Sequence, residues 1–286
     1  MESGICVCGA GTMGRGIALA IAGSNLPVIL YDVDAETISA AESQIKEELH
    51  QSVKSGRIPV TKAEQILLCI SFTNTLSDCK AGLIIEAIVE KAEEKSNLFI
   101  ELARFNTTQT IFASNTSSLS VTQIAEQTPF PERVAGLHFF NPANRMKLVE
   151  IIRTKYTHSD LINQLTSFAI QLGKTPVVCG DLPGFIVNHV ARPYTLEAMR
   201  LVEQHVSGIT TIDRLMESAG FKMGPFHLMD LIGNDINYTV SASVYEALGK
   251  PERLKPSNIQ KQKLDAGKLG RKTGEGFFIY TKPASQ

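Results

Sequence analysis

The stretch Gly4–Asp32, GICVCGAGTMGRGIALAIAGSNLPVILYD, constrains the chain more than any other. A short apolar run, Ile5–Cys8, leads into Gly9, Gly11 and Gly14 at G-x-G-x-x-G spacing. A helical pattern through Ile17, Leu19 and Ile21 follows, and a second apolar run, Val28–Tyr31, ends at Asp32. The order is strand, tight turn, helix, strand. Gly9 permits the turn, Gly11 lets a pyrophosphate approach bare backbone, and Gly14 lets the helix lie close on the strand. The amides at the helix start, aided by the helix dipole, suit phosphate. A lone glycine fingerprint is a weak signal, but here both flanking strands are present.

Asp32 completes the pattern. It lies 18 residues past Gly14 (32 − 14), where a ribose 2′-hydroxyl needs an acceptor. A carboxylate there repels a 2′-phosphate, and Val33 offers no arginine in its place. The expected cofactor is therefore NAD, held by Gly9, Ala10, Gly11, Thr12, Met13, Gly14 and Asp32. Asp34 is expected to be the N-cap of the next helix.

With 286 residues the chain can build a substantial core, in two domains. A net charge of −1 gives no electrostatic footprint for nucleic acid or an anionic membrane. No window approaches the roughly 18 apolar residues of a membrane span. The first strand begins by residue 5, which leaves no room for a targeting peptide, so a cytoplasmic location is expected. Five cysteines (Cys6, Cys8, Cys69, Cys79, Cys179) are odd in number and match no zinc template. They read as small buried hydrophobes without disulfides, and no metal is expected.

Beyond Asp32, residues 35–55 read as one long helix, with Ile38, Ala41, Ile45 and Leu49 at three- and four-residue steps. Gly56 and Pro59 end it, and a shorter helix spans Thr61 to about Leu68. This pair is longer than an ordinary crossover. Its Lys54 and Arg57 either meet an anionic ligand or are solvated charges. Strands follow at Ile70–Phe72 and Leu83–Ile88, then Glu90 and Lys95 at a strand-to-helix junction. There they either bind a ligand at the sheet's carboxyl edge or cap a helix. A helix over 96–105 and a strand over Thr110–Ser114 lead to Asn115-Thr116-Ser117-Ser118. Ser118 or Ser120 suffices to cap the helix Ser120–Glu126, which leaves Asn115 and Ser117 with hydrogen-bonding capacity.

The strand Arg133–Phe140 carries His138 near its end, and Leu148–Ile152 carries Glu150 inside an apolar run. A buried carboxylate without a partner costs several kcal/mol. His138 on the preceding strand is the nearest candidate partner. Such a pair sets the imidazole tautomer and raises its basicity, as a general base requires. A helix over 159–172 and a strand over Thr175–Cys179 precede Asp181-Leu182-Pro183-Gly184, where the character changes. Helices at about 185–205, 210–219, 226–248 and 257–266 follow without a convincing strand. Asn188 sits early in the first of them, with Arg192 four residues on, and its low helix propensity there suits a polar task. Met216, Phe221, Met223, Phe226 and Met229 make a large apolar surface for so small a unit, some of it suited to a second subunit. The stretch from Gly270 to Tyr280, rich in glycine and charge, is either a mobile loop reaching back to the ligand or a tail.

The set GAGTMG, Asp32, EAIVE (86–90), SNTSS (114–118), HFFNPANRMKLVE (138–150), DLPGFIVN (181–188) and GRKTGEGFF (270–278) resembles the 3-hydroxyacyl-CoA dehydrogenase family over essentially the whole chain. Its short bacterial 3-hydroxybutyryl-CoA form fits the length. The resemblance implies an α/β fold: an N-terminal Rossmann-like dinucleotide-binding domain (1–183) with an inserted helical pair, and an all-α C-terminal domain (184–286). It implies that His138 is the catalytic base, that Glu150 orients it, and that Ser117 and Asn188 position substrate oxygens. Glu90, Lys95, Ser117, Asn141 and Lys272 join the glycine loop and Asp32 as NAD contacts, and Lys54 is a guess for the CoA. An acyl-CoA substrate, an interdomain active site and a homodimer through the helical domain are implied too. A dicarboxylic acyl group such as 3-hydroxyadipyl is an alternative, with Arg145 as a candidate for its distal carboxylate. Other rivals are a sugar-acid (gulonate-type) dehydrogenase, the related dehydrogenases with a catalytic lysine, and a non-enzymatic NAD-binding or crystallin-like protein. The His138–Glu150 pair and the complete site set disfavour the last two.

Overall fold

In a computed structural model of the chain, which describes residues 4–280, the apolar runs of the first part become eight strands. These are β1 (Ile5–Cys8), β2 (Val28–Tyr31), β3 (Ile70–Thr73), β4 (Leu83–Glu86), β5 (Ile111–Ser114), β6 (Val134–Phe139), β7 (Leu148–Arg153) and β8 (Thr175–Gly180). They form one sheet in the order β3-β2-β1-β4-β5-β6-β7-β8. From β3 to β6 all neighbours are parallel; β7 runs antiparallel to β6, and β8 parallel to β7. The strand order reverses direction at β1, between β2 and β4, which opens the crevice where ligands bind in such sheets.

The accompanying helices are α1 (Thr12–Gly23), α2 (Ala35–Lys54), α3 (Val60–Leu68), α4 (Ala92–Ala103), α5 (Val121–Glu126) and α6 (Ser159–Gln171). One face of the sheet (Val7, Leu30, Ile85, Ala113, Leu137) packs on Ile17, Ile21, Ile45 and Phe168. Alternation sends the intervening residues, among them Cys6, Cys8, Glu86, Ser114 and His138, to the opposite face, where all are buried. Asp34 caps α2 by accepting from the amides of Glu36 and Thr37. Its apolar stripe is buried at Ala41, Ile45 and Leu49.

Two boundaries differ from expectation. The helix expected at 96–105 starts at Ala92, because its first turn carries Glu93, Glu94 and Lys95 and so has no apolar marker. Acidic residues there suit the helix dipole. The strand expected to reach Ile88 stops at Glu86, whose own carboxylate accepts the Ile88 amide at 2.7 Å and turns the chain off the ladder.

A second compact unit begins at Pro183. It contains α7 (Val187–Glu203), α8 (Ile209–Ser218), α9 (Pro225–Ile232), α10 (Asn234–Ala247) and α11 (Asn258–Asp265). The single helix expected over 226–248 is two, separated by Gly233 at φ 108°, a conformation closed to most side chains. Phe226 and Met229 are fully buried in this unit's own core with Leu196, Met199 and Val244, so they need no second subunit. Phe221 remains exposed and stacks on Tyr194. Among the described residues no helix is long and apolar enough to cross a membrane.

The segment from Gly270 to Tyr280 is neither a mobile loop nor a tail. Asp230 of α9, buried, accepts from the amides of Phe277 and Phe278 and from the Tyr280 hydroxyl at 2.8–3.0 Å, and from the Asn234 amide. Burial beside that carboxylate pushes the Tyr280 phenol up to about 12. A side chain at Gly270 or Gly276 would collide with Asp230 itself. We expect Asp230→Ala to cost the second unit about 3–5 kcal/mol, since four donors lose one charged acceptor. Urea unfolding followed by circular dichroism measures this; an unchanged midpoint would mean that the segment is held by other contacts.

Candidate active site

The glycine loop joins β1 to α1, and each glycine answers a different steric demand. Gly9 has φ 101°, and a Cβ there would lie 2.5 Å from the Ala87 carbonyl oxygen. A Cβ at Gly14 would lie 1.7 Å from the Gly9 carbonyl oxygen. Gly11 has nothing within 4 Å of its missing side chain, and it precedes a helix that no side chain caps. Bare backbone amides therefore face outward where phosphate would be received. Asp32 reaches back to the loop, accepting the Ala10 amide at 2.8 Å and the Asp34 amide at 3.2 Å. Ala10 is buried, Thr12 is exposed and Met13 is half-buried. An open glycine, uncapped amides and an acidic residue at the end of β2 fit a dinucleotide with a free 2′-hydroxyl.

A buried charge cluster closes the ends of β4 and β5. Lys95, 1% exposed, bridges Glu86 at 2.5 Å and Glu90 at 3.1 Å. Ser114 also donates to Glu86, at 2.8 Å. Burial pushes the Glu86 carboxyl up, and Lys95 and Ser114 only partly offset it. Burial acts the same way on Glu90, but Lys95 and the Thr116 and Ser118 hydroxyls outweigh it and hold that group below the usual carboxylate range. Glu90 further accepts the Ser117 amide at 3.3 Å. The Thr116–Ser118 segment is thus tethered to one carboxylate, Glu90. Lys95, expected at a ligand, has its ammonium held beneath the surface between two carboxylates.

His138 and Glu150 are direct partners in the antiparallel β6–β7 register. The His138 Nδ1 donates to Glu150 Oε2 at 2.8 Å, with both side chains buried. Phe140 lies against the imidazole, ring centroids 4.4 Å apart. Asn115 commits its Oδ1 to the Phe139 amide at 2.8 Å and so ties the Ser117 segment to β6. Asn141 follows β6, exposed, in a cis peptide bond with Pro142.

The glycine loop, Asp32, Glu90, Lys95, Ser117, His138, Glu150 and Asn141 therefore gather at one edge of the sheet. Lys54, exposed, is the last residue of α2. Asn188 and Lys272 belong to the second unit. Asn188 is the second residue of α7 and half-buried, and the Lys272 ammonium meets both carboxylate oxygens of Asp235 at 2.6 Å. Sequence reasoning passed over Asp181. It accepts from the Ser120 hydroxyl and from the Val121 and Thr122 amides, and so caps α5 together with Ser120. An acceptor that far along the chain leaves no local signal. Glu86, expected as one residue of the strand Leu83–Ile88, is also the buried partner of Lys95 and Ser114.

The buried cluster makes a stability prediction. Lys95→Met would leave Glu86 and Glu90 without their cation and is expected to destabilise the protein by about 3–5 kcal/mol. Adding Glu86→Leu should recover part of that loss in urea unfolding. A double variant no more stable than Lys95→Met would show that the lysine's packing, not its charge, matters.

Comparison with known proteins places this geometry in context. The family described as "3-hydroxyacyl-CoA dehydrogenase, NAD binding domain" matches residues 4–182, and "3-hydroxyacyl-CoA dehydrogenase, C-terminal domain" matches residues 184–280. The chain is 43% identical over 276 residues to a 3-hydroxyadipyl-CoA dehydrogenase of Escherichia coli, covering 96% of this chain but only 58% of that protein. It is 37% identical to a probable 3-hydroxybutyryl-CoA dehydrogenase of Bacillus subtilis, covering 98% of each. A crystal structure of (S)-3-hydroxybutyryl-CoA dehydrogenase from Ralstonia eutropha superposes with a TM-score of 0.91 at 31% identity, covering 97% of this chain and 99% of that one.

Proposed function

The chain belongs to the 3-hydroxyacyl-CoA dehydrogenase family, and on that footing we propose that it interconverts L-3-hydroxyacyl-CoA and 3-ketoacyl-CoA with NAD. The observation that carries this reading is the His138–Glu150 pair, a buried imidazole held in one tautomer by a carboxylate. With Nδ1 on Glu150, the Nε2 position is the one that takes the proton of the 3-hydroxyl. Glu150 stabilises the imidazolium that forms, and in the reverse direction His138 returns the proton to the 3-keto oxygen. NAD, when bound, accepts the hydride from C3. The Gly9–Gly14 loop would hold its pyrophosphate and Asp32 its ribose. Ser117, tethered through Glu90 and Asn115, positions a substrate oxygen beside the nicotinamide. Asn188 gives a second polar contact, and Asn141 and Lys272 complete the cofactor set.

The acyl group is the open choice within the family. A short chain, 3-hydroxybutyryl, is our reading, as in the names of the B. subtilis and R. eutropha relatives; a dicarboxylic acyl group, as in the name of the E. coli relative, is the alternative. We also propose a cytoplasmic homodimer. All five cysteines are free thiols, as a reducing compartment requires, and Leu215, Phe221, Leu231 and Ile236 leave the helical unit with exposed apolar surface suited to self-association.

Two results are expected from absorbance assays of the purified protein with acetoacetyl-CoA. NADH is oxidised far faster than NADPH, because Asp32 opposes a 2′-phosphate. Equal rates would remove Asp32 from cofactor choice. His138→Gln lowers kcat by about 10²–10⁴ while NADH still binds by fluorescence titration. Full turnover in that variant would remove His138 from the chemistry.

A further inference from the structure

We propose that Cys6, Cys8 and Cys79 bind one soft, thiol-seeking metal ion, monovalent copper. Alternation along β1 sends Cys6 and Cys8 to the same face of the sheet, with their sulfurs 3.8 Å apart. Cys79 follows the short 3-10 turn Leu76–Asp78 that precedes β4, and it brings its sulfur to theirs. The three sulfurs lie within 4.8 Å of one another, and all three side chains are fully buried. A metal about 2.3 Å from each of three sulfurs sets them roughly 4 Å apart, so one ion fits with little movement. Packing alone asks for volume at these positions, not for three sulfurs turned toward one point. No local spacing marks the set, because Cys79 follows Cys8 by 71 residues (79 − 8).

The third thiol is held in place by its surroundings. The Asn106 side chain donates to the Cys79 carbonyl at 2.9 Å and accepts the Ala81 amide at 2.8 Å, which fixes the chain on the far side of Cys79. On the near side the Thr73 hydroxyl donates to the Asp78 carboxylate at 2.7 Å. Hydrogen bonds from the Cys6 and Cys8 thiols draw the Cys79 thiol down to about 5, so the cluster offers a thiolate from within. The donor set decides which metal fits. Among the described residues no histidine, carboxylate or fourth cysteine joins the three. Structural zinc takes four such ligands. Monovalent copper is content with two or three sulfurs, and thiolates select it over harder ions. Asp78 and Lys80, on either side of Cys79, are exposed, so the turn is where an ion enters. Each coordinating thiol passes its proton to water as its sulfur–copper bond forms. The bound ion clips β1, just ahead of Gly9, to the turn before β4.

The test is a competition for copper under nitrogen. Purified protein, freed of thiol reductant, is titrated into the coloured Cu(I)–bicinchoninate complex, and loss of the colour reports copper withdrawn. The wild type and a Cys69→Ala/Cys179→Ala variant, which keeps only the clustered thiols, should each withdraw one copper per chain. Adding Cys79→Ala to that variant should weaken binding by about 100-fold or more, since even a group behind a metal ligand is worth about 10–100-fold. Copper should raise the Tm of the Cys69→Ala/Cys179→Ala variant and leave that of the triple variant unmoved, because an ion held only by the native state stabilises it. Should the triple variant not fold, Cys6→Ser in its place carries the comparison. X-ray absorption at the copper edge, on the Cys69→Ala/Cys179→Ala protein, needs no further variant and should show sulfur neighbours alone. No copper withdrawn by that protein, equal withdrawal with and without Cys79, or a shell of nitrogen or oxygen neighbours would each overturn the assignment.

Discussion

A carboxylate can sit inside the apolar strand β7 at 1% exposure because the chain reverses direction between β6 and β7. The reversal sets Glu150 directly opposite His138 on one face of the sheet. A slip of one residue would put Leu137 on that face and leave two buried polar groups without each other. Register, burial and the imidazole tautomer are therefore a single constraint. The same face carries the second buried charge group, Glu86 with Lys95 and Ser114, toward the carboxyl end of the strands. Each buried charge there is answered by a partner from another element, and the answering groups shape the Glu86–Glu90 and Ser114–Ser118 segments.

This arrangement shows what the sequence could and could not reveal. The glycine fingerprint was legible because Gly9 and Gly14 each answer a backbone collision and Gly11 leaves open space, and spacing alone encodes all three. Glu150 was legible because a carboxylate interrupting Leu-Val-Ile-Ile has no cheap explanation. Lys95 looked like any first-turn helix lysine; its burial depends on where β4 and β5 end. Asp181 caps a helix about sixty residues before it in the chain, a pairing that no local pattern encodes. The break at Gly233 was hidden because apolar residues continue on both sides of it. Only a backbone at positive φ marks the stop.

The C-terminal stretch shows the same limit from another side. Glycine and charge made Gly270–Tyr280 look loose, yet Gly270 and Gly276 are there because Asp230 fills the space a side chain would need. Composition cannot separate glycine that frees a backbone from glycine that lets a backbone come close. Once Asp230 is seen to gather Asn234, Phe277, Phe278 and Tyr280, the segment is part of the helical unit's packing.

Two buried cations, Lys95 and Arg192, are held in different ways. Lys95 lies between two carboxylates and also answers to the loop they hold, so the fold itself accounts for its burial. Arg192 has two long contacts to uncharged oxygens and an unmatched Nε, in company with amide oxygens that are unmatched as well. Its two contacts still answer the buried Asn237 carbonyl and Ser241 hydroxyl, which a hydrophobe in its place could not do. The first cation is answered fully inside the fold and the second only in part, with the unmatched amide oxygens of Asn237 and Gln260 beside it.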